Sequence, residues 1–129
     1  MVINTIYDPI SQVEFNKTKM RFNGQKAFGI IPAGQEANVD LAITDDHLLT
    51  GVVFNVIGNA PGDEITLQIV HPTNGVILTF LNWFARSFDR ELGYPAKIPA
   101  GLIIRAHYKS IGTKDVEVYC NYFLHKILV

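Results

Sequence analysis

Residues 100–129, AGLIIRAHYKSIGTKDVEVYCNYFLHKILV, decide the fold class, because they contain two alternating stretches on either side of a short polar turn. From Leu102 to Lys109, apolar residues at even positions alternate with polar ones, apart from Ile103. From Asp115 to Ile127, the even positions as far as Leu124 are again apolar. A period of two is typical of a strand with one buried face. The pattern predicts a terminal β-hairpin that fills part of a hydrophobic core.

The preceding sequence shows a similar pattern, in which Gly, Pro or Asn separate short apolar stretches. They predict strands over 12–22, 26–31, 37–43, 49–57, 64–71 and 76–83, with Asn23-Gly24 as a hairpin turn. Residues 49–57 are apolar on both faces, which indicates a central strand or a subunit contact. Residues 85–95 are charged and contain a proline, so they are predicted as a long connection whose opposite charges pair. About eight strands with long crossings favour an all-β fold, an antiparallel β-sandwich with jelly-roll-like topology.

Length and composition predict one folded domain. The chain has 129 residues, of which 48% are hydrophobic and 18% charged, and this is far from the composition of a disordered chain. We therefore expect a single β-sandwich domain over 1–129, with residues 1–11 as an N-terminal arm. Ile3, Ile6 and Tyr7 make this arm a candidate for docking on a neighbouring subunit.

Charge and cysteine content exclude several classes of protein. A formal net charge of −1 provides no electrostatic footprint for nucleic acid or for an anionic membrane. Cys120 is the only cysteine, so no intrachain disulfide is possible, and its place in the alternation predicts a buried thiol. No apolar stretch is long enough for a membrane span, and Met1 to Asn4 does not resemble a signal peptide. We expect a protein made in a cytoplasm.

No catalytic motif stands in the sequence, so we expect no enzyme and no cofactor. The four histidines lack metal-ligand spacing: His47, His71, His107 and His125. The cluster Asp45-Asp46-His47 is predicted to be a solvated turn, with a cation site completed by Asp63 or Glu64 as the alternative. The candidates for a glycosidase carboxylate pair lie in predicted turns or loops, where charge is expected anyway: Asp63, Glu64, Asp89 and Glu91.

Exposed apolar residues predict a contact surface. The polar face of the last strand is interrupted by Tyr119, Phe123 and Ile127. The aromatic run that contains Trp83 and Phe84 either caps one end of the core or forms a second part of the surface. The predicted partner interface therefore comprises Ile3, Ile6, Tyr7, Trp83, Phe84, Tyr119, Phe123, Ile127 and Val129.

Four short segments carry a family resemblance: IPAG at 31–34, LTGVV at 49–53, GDEITLQIV at 62–70 and IPAGL at 98–102. With the terminal strands, this progression resembles the small jelly-roll structural proteins of tailed bacteriophages, such as capsid decoration proteins. The resemblance implies a non-enzymatic virion protein, made in the host cytoplasm, that decorates or stabilises the capsid as a homo-oligomer, with a trimer favoured. Its partners would be the major capsid protein or other virion proteins, and the family has no catalytic residues to carry over.

A carbohydrate-binding β-sandwich module is the alternative function. Trp83, Phe84 and Tyr94 would provide rings on which a sugar stacks, and Asp45 and Asp63 would lie near a structural calcium ion.

Overall fold

A computed structural model describes residues 8–9 and 19–128 of the chain. The described residues form ten strands. In chain order these are β1 (Asp8–Pro9), β2 (Met20–Phe22), β3 (Gln25–Ile31), β4 (Glu36–Ala42), β5 (His47–Ile57), β6 (Glu64–His71), β7 (Gly75–Phe84), β8 (Phe88–Ile98), β9 (Ile103–Lys109) and β10 (Val116–Ile127).

The strands form two antiparallel sheets. Sheet A has the order β1-β8-β5-β10-β2, with β3 also paired to β10, and sheet B has the order β4-β9-β6-β7. In sheet A, β5 lies between β8 and β10, which explains why its sequence is apolar on both faces and confirms the predicted central position.

The strands pair as in one long antiparallel hairpin that is folded over to form the two sheets. Strand β6 pairs with β7, β5 with β8, β4 with β9 and β3 with β10, so each step outward from the β6–β7 turn adds one antiparallel pair. Folding this ribbon over brings β10 beside β5 and β9 beside β6. The result is a jelly roll, and the predicted antiparallel β-sandwich is confirmed.

The core lies between the two sheets and is built by alternation along the strands. Val118, Cys120 and Tyr122 on β10 are at most 1% exposed, as are Ile104 and Tyr108 on β9. Burial of each large apolar side chain of this kind stabilises the fold by about 2 kcal/mol. The predicted inward face of both C-terminal strands, and the buried thiol, are therefore confirmed.

The predicted terminal hairpin is wrong. Strand β9 lies in sheet B between β4 and β6, whereas β10 lies in sheet A between β3 and β5. The turn between them crosses from one sheet to the other, and their buried faces oppose each other across the core. Alternation shows that a strand has a buried face, but it does not show which strand is its hydrogen-bonded neighbour.

The hairpin predicted at Asn23-Gly24 is also wrong. Strands β2 and β3 both pair with β10, one after the other along its length, so Asn23 and Gly24 interrupt a single edge strand. The backbone N–H of Asn23 donates to the carbonyl of Leu124 at 2.7 Å, which continues the pairing through the break. Gly24 does not have the positive φ of an Asn-Gly hairpin turn.

The long connection predicted over residues 85–95 is a strand for most of its length. Strand β8 begins at Phe88 and runs along β5, with a register shift opposite Leu49 and Gly51. Its charges suit a strand near the edge of the sheet, since charged side chains discourage pairing with other chains. Of the strand predicted over residues 12–22, residues 12–18 lie outside the described residues, as does most of the predicted arm. Within the arm, β1 pairs with Lys97 and Ala96 of β8.

Candidate functional site

The outer face of sheet A carries a cluster of exposed large apolar side chains. We call it the aromatic face, and it consists of Phe22, Phe28, Ile30, Ile57, Tyr119 and Phe123. Phe22 is 60% exposed, and even the most covered member, Tyr119, is 37% exposed. Because the six residues come from β2, β3, β5 and β10, the aromatic face extends across most of the sheet.

The register of β3 explains why Phe28 and Ile30 point outward. Strand β3 places Ala27 opposite Cys120, and Gly29 opposite Val118, on the core side of the sheet. A Cβ atom on Gly29 would lie only 2.6 Å from Cγ2 of Val39, so the core leaves no room there for a larger side chain. The small residues of β3 therefore face inward and its large ones face solvent.

Ring contacts join four members of the aromatic face in two separate pairs. The rings of Phe28 and Tyr119 have centroids 4.6 Å apart, and those of Phe22 and Phe123 are 6.5 Å apart. Phe22 also makes an edge contact with the ring of His125 at 5.3 Å. The hydroxyl of Tyr119 donates to Glu117 Oε1 at 3.1 Å, and this hydrogen bond raises the pKa of Tyr119. These contacts order the side chains but leave their outer surfaces exposed.

The outer face of sheet B is polar. Arg105 Nε donates to Asp40 Oδ1 at 2.8 Å, and the second guanidinium contact, Nη2 to Oδ2, is 3.0 Å. His107 contacts Glu36 Oε1 at 3.0 Å, and this hydrogen bond lowers the pKa of Glu36. Two apolar residues of β7 are also exposed in this sheet, Phe84 at 71% and Val76 at 50%.

The residues predicted as a partner interface divide between several places. Tyr119 and Phe123 belong to the aromatic face, and Ile127 is half-buried near the end of β10. Trp83 and Phe84 lie on β7, in the other sheet. The remaining predicted residues lie outside the described ranges: Ile3, Ile6, Tyr7 and Val129.

Trp83 and Phe84 point to opposite sides of sheet B, as neighbours on a strand do. Trp83 is paired with Ile65 and packs inward on Phe54 and Phe88, with ring centroids 6.0 Å and 4.6 Å away. Its Nε1 atom is buried and has no hydrogen-bond partner. The two rings therefore do not form the flat stacking surface expected for a sugar, and the side chain of Tyr94 lies outside the described residues.

A cleft of about 400 Å³ lies between β7 and β8, at the open edge of the sandwich. Arg86, Asp89 and Arg90 line it, together with the aromatic residues of the two strands. The ion pairs predicted among the charges of 85–95 do not form within the described part of the chain. Alternation explains this, because Asp89 points to the outer face of sheet A and Arg90 to the opposite side. Arg86 lies instead over the ring of Phe88, 5.9 Å from its centroid.

A buried carboxylate joins the loops at one end of the sandwich. Asp63 Oδ2 accepts hydrogen bonds from the Tyr108 hydroxyl at 2.6 Å and from the Ala60 N–H at 3.0 Å. Its Oδ1 atom accepts from the N–H of Ile111 at 2.8 Å. Burial acts to raise the pKa of Asp63, but these hydrogen bonds outweigh it and lower the pKa. Asp63 thus lies in a loop, as predicted, but its carboxylate is buried and has a structural role.

The predicted turn at Asp45-Asp46-His47 is only partly solvated. His47 is 1% exposed, because its ring nitrogens contact the Asp45 carbonyl at 2.6 Å and the Asn23 side chain at 3.0 Å. Asp46 Oδ1 accepts a hydrogen bond from the N–H of Ala100 at 2.9 Å. Across residues 8–9 and 19–128, no three His, Cys, Asp or Glu side chains are grouped so as to hold a metal ion.

Two further observations concern reactivity and membranes. Burial raises the pKa of the Cys120 thiol to about 12, so it remains protonated at neutral pH and is a poor nucleophile. In the described part of the chain, no helix has the length and apolar character needed to cross a membrane.

Comparison with known proteins identifies no family. No protein-family model matches the sequence, and no curated protein matches it. Among solved structures, the mitogen of Yersinia pseudotuberculosis is similar over 84% of this chain and 96% of its own, with a TM-score of 0.43 and 13% identity. The infectious bursal disease virus Gx strain gives a TM-score of 0.17 and 13% identity, over 85% of this chain and 40% of its own. Likenesses this distant carry no argument about the function of this chain.

Proposed function

We propose that this protein is a non-enzymatic structural protein of a bacteriophage virion, which decorates or stabilises the capsid as an oligomer that assembles through the aromatic face. The main support for this proposal is the exposure of six large apolar side chains on one side of sheet A. The sequence resemblance to phage decoration proteins supports the virion part of the proposal.

The size of the aromatic face favours an assembly surface. Each of its side chains exposes on the order of 100 Å², because it leaves about half of its area in water. Together they expose about 600 Å² of apolar area on one face of the sheet, with Lys26, Asn121 and Glu117 between them. Covering each side chain would contribute about 2 kcal/mol, so a partner that covers the face gains a large driving force.

Two exposed phenylalanines provide a matched test of this surface. Phe28→Glu places a charge in the aromatic face, and Phe84→Glu places the same charge on the outer face of sheet B. Light scattering after size-exclusion chromatography should show oligomers for the unmodified chain and for Phe84→Glu, and monomers for Phe28→Glu. Circular dichroism should show folded protein in all three cases, because both side chains are exposed. A monomeric unmodified chain, or equal behaviour of the two variants, would contradict the proposal.

The genes adjacent to this one test the virion assignment. Neighbours that encode a major capsid protein, a portal or a tail protein are expected, and co-sedimentation of the protein with shells assembled from that capsid protein should follow. Neighbouring genes of metabolism or transport, with no binding to any shell, would contradict the assignment while leaving the assembly surface intact.

A further inference from the structure

We propose that the outer face of sheet A, which carries the aromatic face, packs against the same face of sheet A in a second copy of this chain, about a twofold axis that runs parallel to the strands midway between β5 and β10. The inference rests on the proposed function, because it names the partner of the same surface and the symmetry of the contact.

One row of side chains crosses the outer face of sheet A and carries opposite charges at its two ends. Asp89 on β8 is the cross-strand partner of Val53 on β5. Val53 is in turn opposite Asn121 on β10, and Asn121 is opposite Lys26 on β3. The four residues alternate with inward neighbours on their strands, so they point outward together. The row is therefore acidic at β8 and basic at β3.

Within residues 8–9 and 19–128, neither end of this row has a charged partner. Neither Asp89 nor Lys26 forms an ion pair within the described residues. The two residues lie three strand spacings apart, about 14 Å, which is too far for contact within one sheet. Both charges are thus available to a facing surface.

The proposed axis brings the opposite charges together. Rotation about a line parallel to the strands, midway between β5 and β10, exchanges the β8 side of one sheet with the β3 side of the facing sheet. Asp89 of each copy then lies opposite Lys26 of the other copy, so the contact contains this ion pair twice, as an isologous interface requires. Val53 of each copy lies opposite Asn121 of the other.

The next row of the sheet lies near the same axis. Gly51 on β5 and Phe123 on β10 are cross-strand partners in this row. The ring of Phe123 lies over Gly51 of its own chain, since a Cβ atom on Gly51 would be 3.1 Å from Cδ2 of Phe123. A depression of about 480 Å³ adjoins this ring and is also lined by Phe22 and Asp89. The twofold axis brings the Phe123 rings of the two copies side by side near the centre of the contact.

The area is also appropriate for a stable dimer. The aromatic face contributes about 600 Å² of apolar surface, and the polar residues between its members bring the covered area close to the roughly 800 Å² per partner of a standard interface. Two sheets packed face to face with nearly aligned strands repeat the geometry of a sandwich interior.

Charge reversal with rescue tests the proposed pairing. Lys26→Glu and Asp89→Lys each place like charges opposite one another, and each should raise the dimer dissociation constant about tenfold or more. The double variant restores opposite charges and should return the constant to within about threefold of the original value. Glu36→Lys on the outer face of sheet B is the control and should leave the dimer dissociation constant unchanged. Sedimentation velocity over a concentration series gives the mass and the constant, and thermal unfolding confirms that each variant is folded.

The outcomes separate this inference from the proposed function. A mass of two chains with rescue in the double variant supports the twofold contact. A trimer, or a dimer that responds to Phe28→Glu but not to either charge reversal, overturns the twofold pairing and leaves the aromatic face as an assembly surface. A chain that remains monomeric at every concentration overturns both.

Discussion

The outer faces of the two sheets follow the same geometric rule but differ in chemistry. On sheet B, cross-strand neighbours complement one another, as with the paired guanidinium and carboxylate of Arg105 and Asp40. On sheet A, the corresponding neighbours Phe28 and Tyr119 are both aromatic and stack on each other. A polar face of this kind is satisfied by its own pairs and by water. An aromatic face gains further stability only when another surface covers it, and this difference is the reason for proposing sheet A as the contact side of the sandwich.

The largest change in the free energy of unfolding is expected from loss of the hydrogen bonds that Asp63 accepts at one end of the sandwich. Asp63→Ala removes the acceptor of three hydrogen bonds and leaves the buried Tyr108 hydroxyl without its partner. The free energy of unfolding should fall by about 3 kcal/mol. Urea unfolding of the unmodified chain and the variant measures the difference. Asp40→Ala, at an exposed carboxylate, is the control, with an expected loss of about 0.5 kcal/mol. Equal losses in the two variants would show that Asp63 has no special role.

Acid should remove the contribution of Asp63 gradually. The hydrogen bonds that Asp63 accepts lower its pKa in the folded state below that of the unfolded chain, about 3.9. The folded state thus releases this proton more readily, and its stabilisation is fully present above the unfolded pKa and is lost as the pH falls through the folded pKa. The difference in unfolding free energy between the unmodified chain and Asp63→Asn should shrink as the pH is lowered from about 6 to about 3. A difference that grows on acidification would contradict the assigned direction.

The smallest effects are expected from the side-chain pairs on the two outer faces. A double-mutant cycle on Phe28 and Tyr119 should give a coupling of about 1 kcal/mol, which salt does not reduce. The same cycle on Arg105 and Asp40 should give about 0.5 kcal/mol, which high salt reduces. Both cycles are measured by urea unfolding at protein concentrations low enough for the monomer. If the aromatic coupling were the weaker of the two, the stacking within sheet A would contribute little, and its residues would be retained mainly for contact.

Strand positions were well predicted from the sequence, but strand partners were not. The stretch from Glu64 to His71 was predicted with its observed bounds, and the inward residues of β9 and β10 were identified correctly. The hydrogen-bonded neighbours of those two strands were wrong, because pairing depends on residues far apart in the chain. The hairpin predicted at Asn23-Gly24 was wrong for the same reason, because the pairing of β2 and β3 with β10 overrides the local turn preference.

Only part of the aromatic face could be predicted from the sequence. Tyr119 and Phe123 interrupt a polar face in a strand with a clear buried side, so their exposure could be inferred. Phe28 and Ile30 could not be identified in this way, because hydrophobicity alone favours burying them in preference to Ala27 and Gly29. Only the packing of Val39 against the backbone of Gly29 decides that the small residues face inward.

Three properties of this protein could be inferred from its amino-acid sequence: the all-β sandwich, the positions of most strands and the buried side of the C-terminal strands. These properties follow from local alternation, which records whether each side chain meets core or solvent. The tertiary structure alone decided which strands pair, that β9 and β10 belong to opposite sheets, and that Phe22, Phe28, Tyr119 and Phe123 meet on one face. The physical reason is that register between distant strands is set by packing across the core, which no single stretch of sequence contains.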